Sequence, residues 1–229
     1  MNKPAGYPRI SVIICTLNEE MNLPHVLPKI PQWVDEVLLV DGYSTDNTTT
    51  VARKLRPDIR IEYQPHRRGG KSDALKYGSQ IATGDVIVDI DADGSTNPEE
   101  IPNFIEPLLN GYDFVKGSRF LNTSPSIMAW HRRFGNWVLH AETNLLFGTH
   151  YTDVCSGYNA YWKKAWAKIK FPDEFGYEPL IIIRAEKAGL RILEIPSRDE
   201  GRVNGKSKLL SWQQGWRACA AILKERFHG

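Results

Sequence analysis

Cysteine is scarce. Cys15, Cys155 and Cys219 stand far apart in 229 residues, with no CxxC pair and no zinc spacing, and the odd count speaks against a disulfide framework and suits a reducing compartment. The histidines, His25, His66, His131, His140, His150 and His228, form neither HxxxH nor HxxE, which sets a helical histidine metal centre aside. No apolar run approaches the roughly 18–20 residues of a membrane span. Charge of one sign is missing too: 29 Lys+Arg against 27 Asp+Glu leave a net +2, too little to point to nucleic acid. Met1 to Arg9 lack the apolar core of a signal peptide. The sequons at Asn47 and Asn122 therefore read as accidental. A cytoplasmic protein is expected, with peripheral contact at the cytoplasmic membrane face left open. Glycine-rich phosphate loops are absent as well. Gly70-Lys71-Ser72 looks like the end of a Walker A loop, but Pro65 stands where its first glycine belongs. The first strand runs into Thr16-Leu17-Asn18-Glu19-Glu20, which is neither a dinucleotide fingerprint nor the basic loop of a sugar nucleotidyltransferase.

What is present fits one globular domain, 41% hydrophobic and 24% charged, large enough for a core without staples. Apolar, β-rich runs predict strands at Ile10–Cys15, Glu36–Asp41, Arg60–Tyr63, Asp85–Ile90 and Phe114–Gly117. Helices are expected between them: from Asn18 as a cap to about Ile30, from Ser44 or Thr45 to about Leu55, from Lys71 to Ile81, and from Pro98. This βαβα order implies a mostly parallel sheet with helices on both faces, a three-layer α/β/α domain, whose ligands bind at the carboxyl ends of the strands. The second half is less regular. Helices are expected at 127–147 and 177–188, a strand at 191–195, a polar loop at 197–205 with the character of a mobile segment, and an amphipathic helix at 209–227.

The richest stretch is Val86-Ile87-Val88-Asp89-Ile90-Asp91-Ala92-Asp93. Asp91 and Asp93 have period-2 spacing, so an extended backbone points both carboxylates the same way. Such a pair repels itself unless a cation or proton intervenes. Hard cations such as Mg²⁺ or Mn²⁺ take these oxygens, usually together with substrate phosphates. The bland alternative is an Asp-rich turn capping the helix at Pro98.

Ser11-Val12-Ile13-Ile14-Cys15-Thr16-Leu17-Asn18-Glu19, Val40-Asp41-Gly42-Tyr43-Ser44-Thr45-Asp46 and Asp91-Ala92-Asp93 resemble the "S-V-I-I-P-x-x-N-E", "V-D-D-G-S-T-D" and "D-A-D" motifs of family-2 glycosyltransferases, which have the GT-A fold. Gly117-Ser118-Arg119-Phe120, Thr152 to Tyr158 and Gly205-Lys206-Ser207-Lys208-Leu209 are similar to the dolichyl- or polyprenyl-phosphate sugar transferase branch. The resemblance covers about residues 10–210. It implies an inverting, metal-dependent transfer from a nucleoside-diphosphate sugar (UDP- or GDP-linked) to a lipid phosphate. Transfer to a hydroxyl or amine of a small soluble acceptor stays open, as does a silent nucleotide-sugar-binding scaffold. It divides the domain into a nucleotide-sugar half (about 8–120), an acceptor half (about 121–205) and a terminal helix (about 206–229).

By the same resemblance, Thr16, Leu17, Asn18 and Glu19 hold base and ribose, and Asp41 accepts from a base N–H unless it is an ordinary cap. Gly42 stands where the family often has a second Asp. Lys71, at a helix N-terminus, meets a phosphate or is a solvated lysine. Asp93 is the principal metal ligand. Asp91 touches metal, ribose or sugar, with Ala92 between them at the substrate, and Ser95 stands where a third ligand, often Gln, follows. The Mg²⁺ or Mn²⁺ helps the nucleoside diphosphate leave. Arg119 pairs with a phosphate or forms a packing salt bridge. Arg132 and Arg133 receive an anionic acceptor or mark a charged turn. Ser156 lies in the branch motif, and Arg202, Lys206 and Lys208 close over the diphosphate. A lipid phosphate needs no base, whereas a hydroxyl acceptor does. Glu178 is the candidate for that, Asp153 the other acid. The terminal helix reads as core packing ahead of an interfacial helix on anionic lipid.

Overall fold

A computed structural model of the chain describes residues 3–121, 128–169, 177–205 and 211–228. The apolar runs form β1 (Ile10–Thr16), β2 (Glu36–Asp41), β3 (Arg60–Tyr63), β4 (Val86–Asp91) and β5 (Phe114–Ser118) where the pattern places them. Two more strands, β6 (Asn159–Trp162) and β7 (Ile192–Pro196), complete a seven-stranded sheet of order β3-β2-β1-β4-β6-β5-β7. β6 runs antiparallel to β4 and β5, and every other pair is parallel. β6 was not foreseen. It is four residues long and Asn159, Ala160 and Tyr161 are all buried, so no polar–apolar alternation marks it.

The helices are α1 (Leu23–Val26), α2 (Thr48–Leu55), α3 (Gly70–Ile81), α4 (Ile101–Leu109), α5 (Trp130–Phe147), α6 (Lys163–Trp166), α7 (Tyr177–Lys187) and α8 (Ser211–His228). Strand alternation splits the core in two. Ile13, Leu38, Val40, Ile87, Phe114 and Tyr161 face the layer of α3, α5, α7 and α8. Val12, Ile14, Leu39, Val88, Val115 and Ala160 face α1, α2 and α4. Each fully buried Ile, Leu or Val contributes about 1.5–3 kcal/mol, and the two-sided burial fixes strand register. The three-layer α/β/α expectation holds.

Two helix starts differ from expectation. The first helix begins at Leu23, not at Asn18, and gives way after Val26 to a 3₁₀ turn at Leu27–Lys29. Pro24 and Pro28 cannot donate to a continuing helix. Asn18 instead adopts φ +55°, and its side-chain oxygen accepts from the Thr45 backbone N–H at 2.7 Å. The second helix starts at Thr48, because Ser44 is spent on Asp41 and Asp46 accepts from the Thr48 N–H at 3.0 Å. α8 packs through Ala218, Ala221 and Ile222, and Glu225 pairs with Arg184 (2.8 Å) and Lys187 (3.0 Å) of α7. Trp216 is exposed, so packing accounts for one face of this helix only. Among the described residues no helix is long and apolar enough to cross a membrane.

Candidate active site

Parallel pairing sets the strand ends level: Thr16 lies beside Asp41 and Cys15 beside Asp91. The acidic pair follows β4 directly. Asp91 pairs with Lys71 from the first turn of α3, and Glu178 from the first turn of α7 stands 4.0 Å from the same amine. Asp93 accepts from the Ser95 backbone N–H at 3.0 Å and faces Arg202 at 3.4 Å. Arg202 also donates to both oxygens of Glu19, at 2.8 and 2.7 Å. The repulsion foreseen between the two carboxylates is thus relieved by two of the chain's own cations, one for each acid.

The segment after β7 crosses this edge. Glu200 N–H donates to Ser95 O at 3.0 Å and Val203 N–H to Asp93 O at 3.0 Å, while Asn204 N–H donates to the Asn22 side chain at 2.8 Å. The mobile loop expected at 197–205 is therefore laid down over the strand ends. Lys206 and Lys208 lie outside the described residues. A small polar cavity beneath the loop is lined by Asp91, Ser95, Arg119, Ser156, Arg198 and Asp199.

Two of the expected residues are engaged within the chain, as the second of the two readings given for each has it. Asp41 is fully buried, and its carboxylate accepts from Thr16 Oγ1 (3.1 Å), Ser44 Oγ (2.6 Å) and Ser44 N–H (2.7 Å). It shapes the β2 loop. Arg119 spends its fork on Asp153, at 2.6 and 2.9 Å, which is the packing salt bridge and not an open phosphate clamp. Burial alone would raise the Asp153 carboxyl, but Arg119 beside it holds the group below the usual carboxylate range.

Ser156 is buried at the cavity wall, and Thr16, Glu19 and Ala92 are buried at the strand ends, while Leu17 is exposed there. Arg132 and Arg133 are exposed on α5, and no contact among the described residues joins them to this cluster. Asp89 lies within the sheet, bonded to Asn159 at 3.0 Å, and burial pushes its carboxyl up to about 7.

Two residues escaped the sequence reading. Lys116 is fully buried in β5 and donates to the Ser156 carbonyl at 3.0 Å. Burial draws its pKa down, against the pull of Asp153. A lysine inside an apolar strand run was the available signal. Gly157 follows Ser156, and a Cβ there would sit 2.6 Å from Lys71 Nζ and 2.8 Å from Asp91 Oδ2. The backbone approaches the Lys71 and Asp91 side-chain ends where only hydrogen fits.

The donor set of the acidic pair suits a hard divalent cation. The Asp91 and Asp93 side chains are 29% and 25% exposed. No group of three His, Cys, Asp or Glu among the described residues is placed to hold a metal. Two carboxylates with the remaining positions left to water and phosphate is the pattern of Mg²⁺ or Mn²⁺ held with a phosphorylated substrate.

Comparison with known proteins gives the family and the fold. The model of the family described as glycosyl transferase family 2 matches residues 11–169. Glycosyltransferase AglJ of Haloferax volcanii is 26% identical over 86% of this chain, and the chain spans 64% of that relative's length. A dolichyl-phosphate hexose transferase of the same organism is 29% identical over 94% of this chain and 92% of its own. Among solved structures, glucosyl-3-phosphoglycerate synthase of Mycobacterium tuberculosis, crystallised with Mn²⁺, UDP-glucose and phosphoglyceric acid, superposes with a TM-score of 0.74. It is 23% identical, and the match covers 97% of this chain and 80% of that one.

Proposed function

The chain belongs to glycosyl transferase family 2 and has the GT-A fold, and from that premise we propose that it moves a sugar from a nucleoside-diphosphate sugar to a polyprenyl or dolichyl phosphate, inverting the anomeric centre. The observation that carries this reading is the pairing of Asp91 with Lys71 and of Asp93 with Arg202 at the carboxyl edge of β4. Each of two acids able to hold a divalent cation is in contact with a cation able to hold phosphate oxygens. Residues 8–120 serve the donor and about 121–205 the acceptor.

Asp91 and Asp93 would hold Mg²⁺ or Mn²⁺, which supplies charge neutralisation to the departing diphosphate. Lys71 and Arg202 turn from the carboxylates to the phosphate oxygens as the donor enters. Ser95, Ala92 and Ser156 line the sugar end, and Thr16 to Glu19 the ribose end. Arg119, fixed by Asp153, shapes the cavity wall. A lipid-phosphate oxygen attacks the anomeric carbon opposite the diphosphate. Its carbon–oxygen bond forms as the bond to the diphosphate oxygen breaks, and the electron pair leaves with the nucleoside diphosphate. The acceptor is already anionic, so no proton moves. The dolichyl-phosphate hexose transferase relative supports this acceptor, and a lipid acceptor would bring the protein peripherally to the cytoplasmic membrane face.

A second reading is favoured by Glu178, a half-buried acid 4.0 Å from Lys71. With a hydroxyl acceptor, Glu178 takes the proton that the attacking oxygen loses, and a soluble phosphorylated acceptor replaces the lipid. The test is transfer from UDP-, GDP- and dTDP-sugars with Mn²⁺ or Mg²⁺, with and without a short polyprenyl phosphate, against EDTA and Asp93→Ala controls. Metal-dependent product on the lipid phosphate is the expected result. Donor hydrolysis without lipid product moves the assignment to the hydroxyl acceptor.

A further inference from the structure

Tyr43 has φ +66°, a backbone conformation that bulky residues rarely take. In the motif V-D-D-G-S-T-D a glycine occupies this place, as the conformation favours. Here a tyrosine is held in it by its neighbours: the Ser44 N–H and hydroxyl both donate to the buried Asp41 carboxylate. The Tyr43 ring lies 5.5 Å from that of Tyr63 at 30°, and the Arg67 guanidinium stands over the Tyr43 ring at 5.0 Å. Tyr63 is 52% exposed. Beside them Gly42 presents no side chain, and its N–H closes onto the Thr16 carbonyl at 2.8 Å. Two aromatic rings and a cation thus project at the carboxyl ends of β2 and β3, in a position the backbone resists.

The location matches one part of the donor. β1 separates β2 from β4 and β3 lies beyond β2, so at about 4.8 Å per strand Tyr43 and Tyr63 stand roughly 10 and 14 Å across the sheet from Asp91. That is the span of one nucleoside beyond a diphosphate held at the acidic pair. The acid expected to read the edge of the base, Asp41, is enclosed and takes three hydrogen bonds from Thr16 and Ser44. What this corner offers a planar ligand is π surface and positive charge.

We propose that Tyr43, Tyr63 and Arg67 form a shelf that holds the nucleobase of the donor by its face. This rests on the reading above, in which the diphosphate sits at Asp91 and Asp93. Face stacking is tolerant of base identity because every base has a π face, and Arg adds a cation–π contribution. The shelf therefore secures nucleosides in general and discriminates weakly between uracil and guanine.

The test is calorimetric binding of UDP, GDP and inorganic pyrophosphate, with Mn²⁺, to the unaltered protein, Tyr43→Gly and Tyr63→Ala. Glycine accepts φ +66° without strain, so Tyr43→Gly retains the fold, checked by its melting temperature. Both variants lose about ten- to hundredfold in affinity for UDP and for GDP alike, while pyrophosphate, which has no base, binds unchanged. Unchanged UDP and GDP binding overturns the shelf, and so does a parallel loss of pyrophosphate. If the unaltered protein binds pyrophosphate as tightly as UDP, the shelf fails while the phosphate site stands. If it binds neither, the donor reading fails and the shelf with it.

Discussion

Replacing Gly157 by Ala separates the reaction from the fold. The added Cβ would stand 2.6 Å from Lys71 Nζ, 2.8 Å from Asp91 Oδ2 and 3.2 Å from Asp91 Oδ1. Ordinary contact begins at 3.4 Å, so the amine and the carboxylate must retreat by about 0.6–0.8 Å. Both are ends of side chains that can swing aside, and no β-strand or helix backbone blocks the methyl. The fold should lose about 1 kcal/mol, the low end for an overpacked site. Catalysis depends on those same two ends, and a displacement near 1 Å costs on the order of a hundredfold. The expected outcome is a ten- to hundredfold fall in transfer rate with a urea midpoint close to that of the parent. Steady-state transfer and urea unfolding on the same preparation measure both. Turnover equal to the parent's would refute the placement of Lys71 and Asp91 at the reacting centre. A stability loss above about 3 kcal/mol would refute the claim that only side-chain ends yield.

Asp153→Ala leaves the Arg119 guanidinium without its carboxylate in an enclosed site, and should cost about 3–5 kcal/mol by urea unfolding. The double variant Arg119→Met/Asp153→Leu should recover most of it, and equal losses in both would contradict a buried ion pair. Asp89, raised by burial from 3.8 to about 7, keeps its proton in the fold where the unfolded chain has released it. That stabilisation is complete below about pH 4 and is lost as pH rises through about 7, up to about 4 kcal/mol. Asp89→Asn should flatten this slope, and identical pH profiles for the two proteins would sink the assignment. Arg202→Ala removes the side chain that ties the loop after β7 to Glu19 and Asp93. It should weaken UDP binding about tenfold while moving the melting temperature by only a few degrees. A large loss of stability with unchanged UDP affinity would make Arg202 a strut.

The central parallel strands β1, β2 and β4 were legible because they are largely apolar runs between turn residues and both faces of the sheet are buried there. β6 was not, since four buried residues carry no period. Helix starts failed where polar side chains were read as caps but were engaged across the β1 and β2 loops, as Asn18 is with Thr45 and Ser44 with Asp41. The acidic pair was legible from spacing alone, as was its need for a counter-charge. Which cations answer it was not, because Lys71 and Arg202 reach it from positions 20 residues before Asp91 and 109 residues after Asp93. Gly157 draws its importance from the Lys71 and Asp91 side chains packed against it, which the linear sequence does not display.

The most direct test of the central claim, that Asp91 and Asp93 hold the donor diphosphate through a divalent cation, is calorimetric titration of UDP into the protein. Titrations with Mn²⁺, in EDTA, and on Asp93→Asn, which keeps an acceptor for the Ser95 N–H, complete the comparison. Binding that requires Mn²⁺ and falls at least tenfold in Asp93→Asn is the predicted result. Equal affinity in EDTA, or in Asp93→Asn with Mn²⁺, would contradict it.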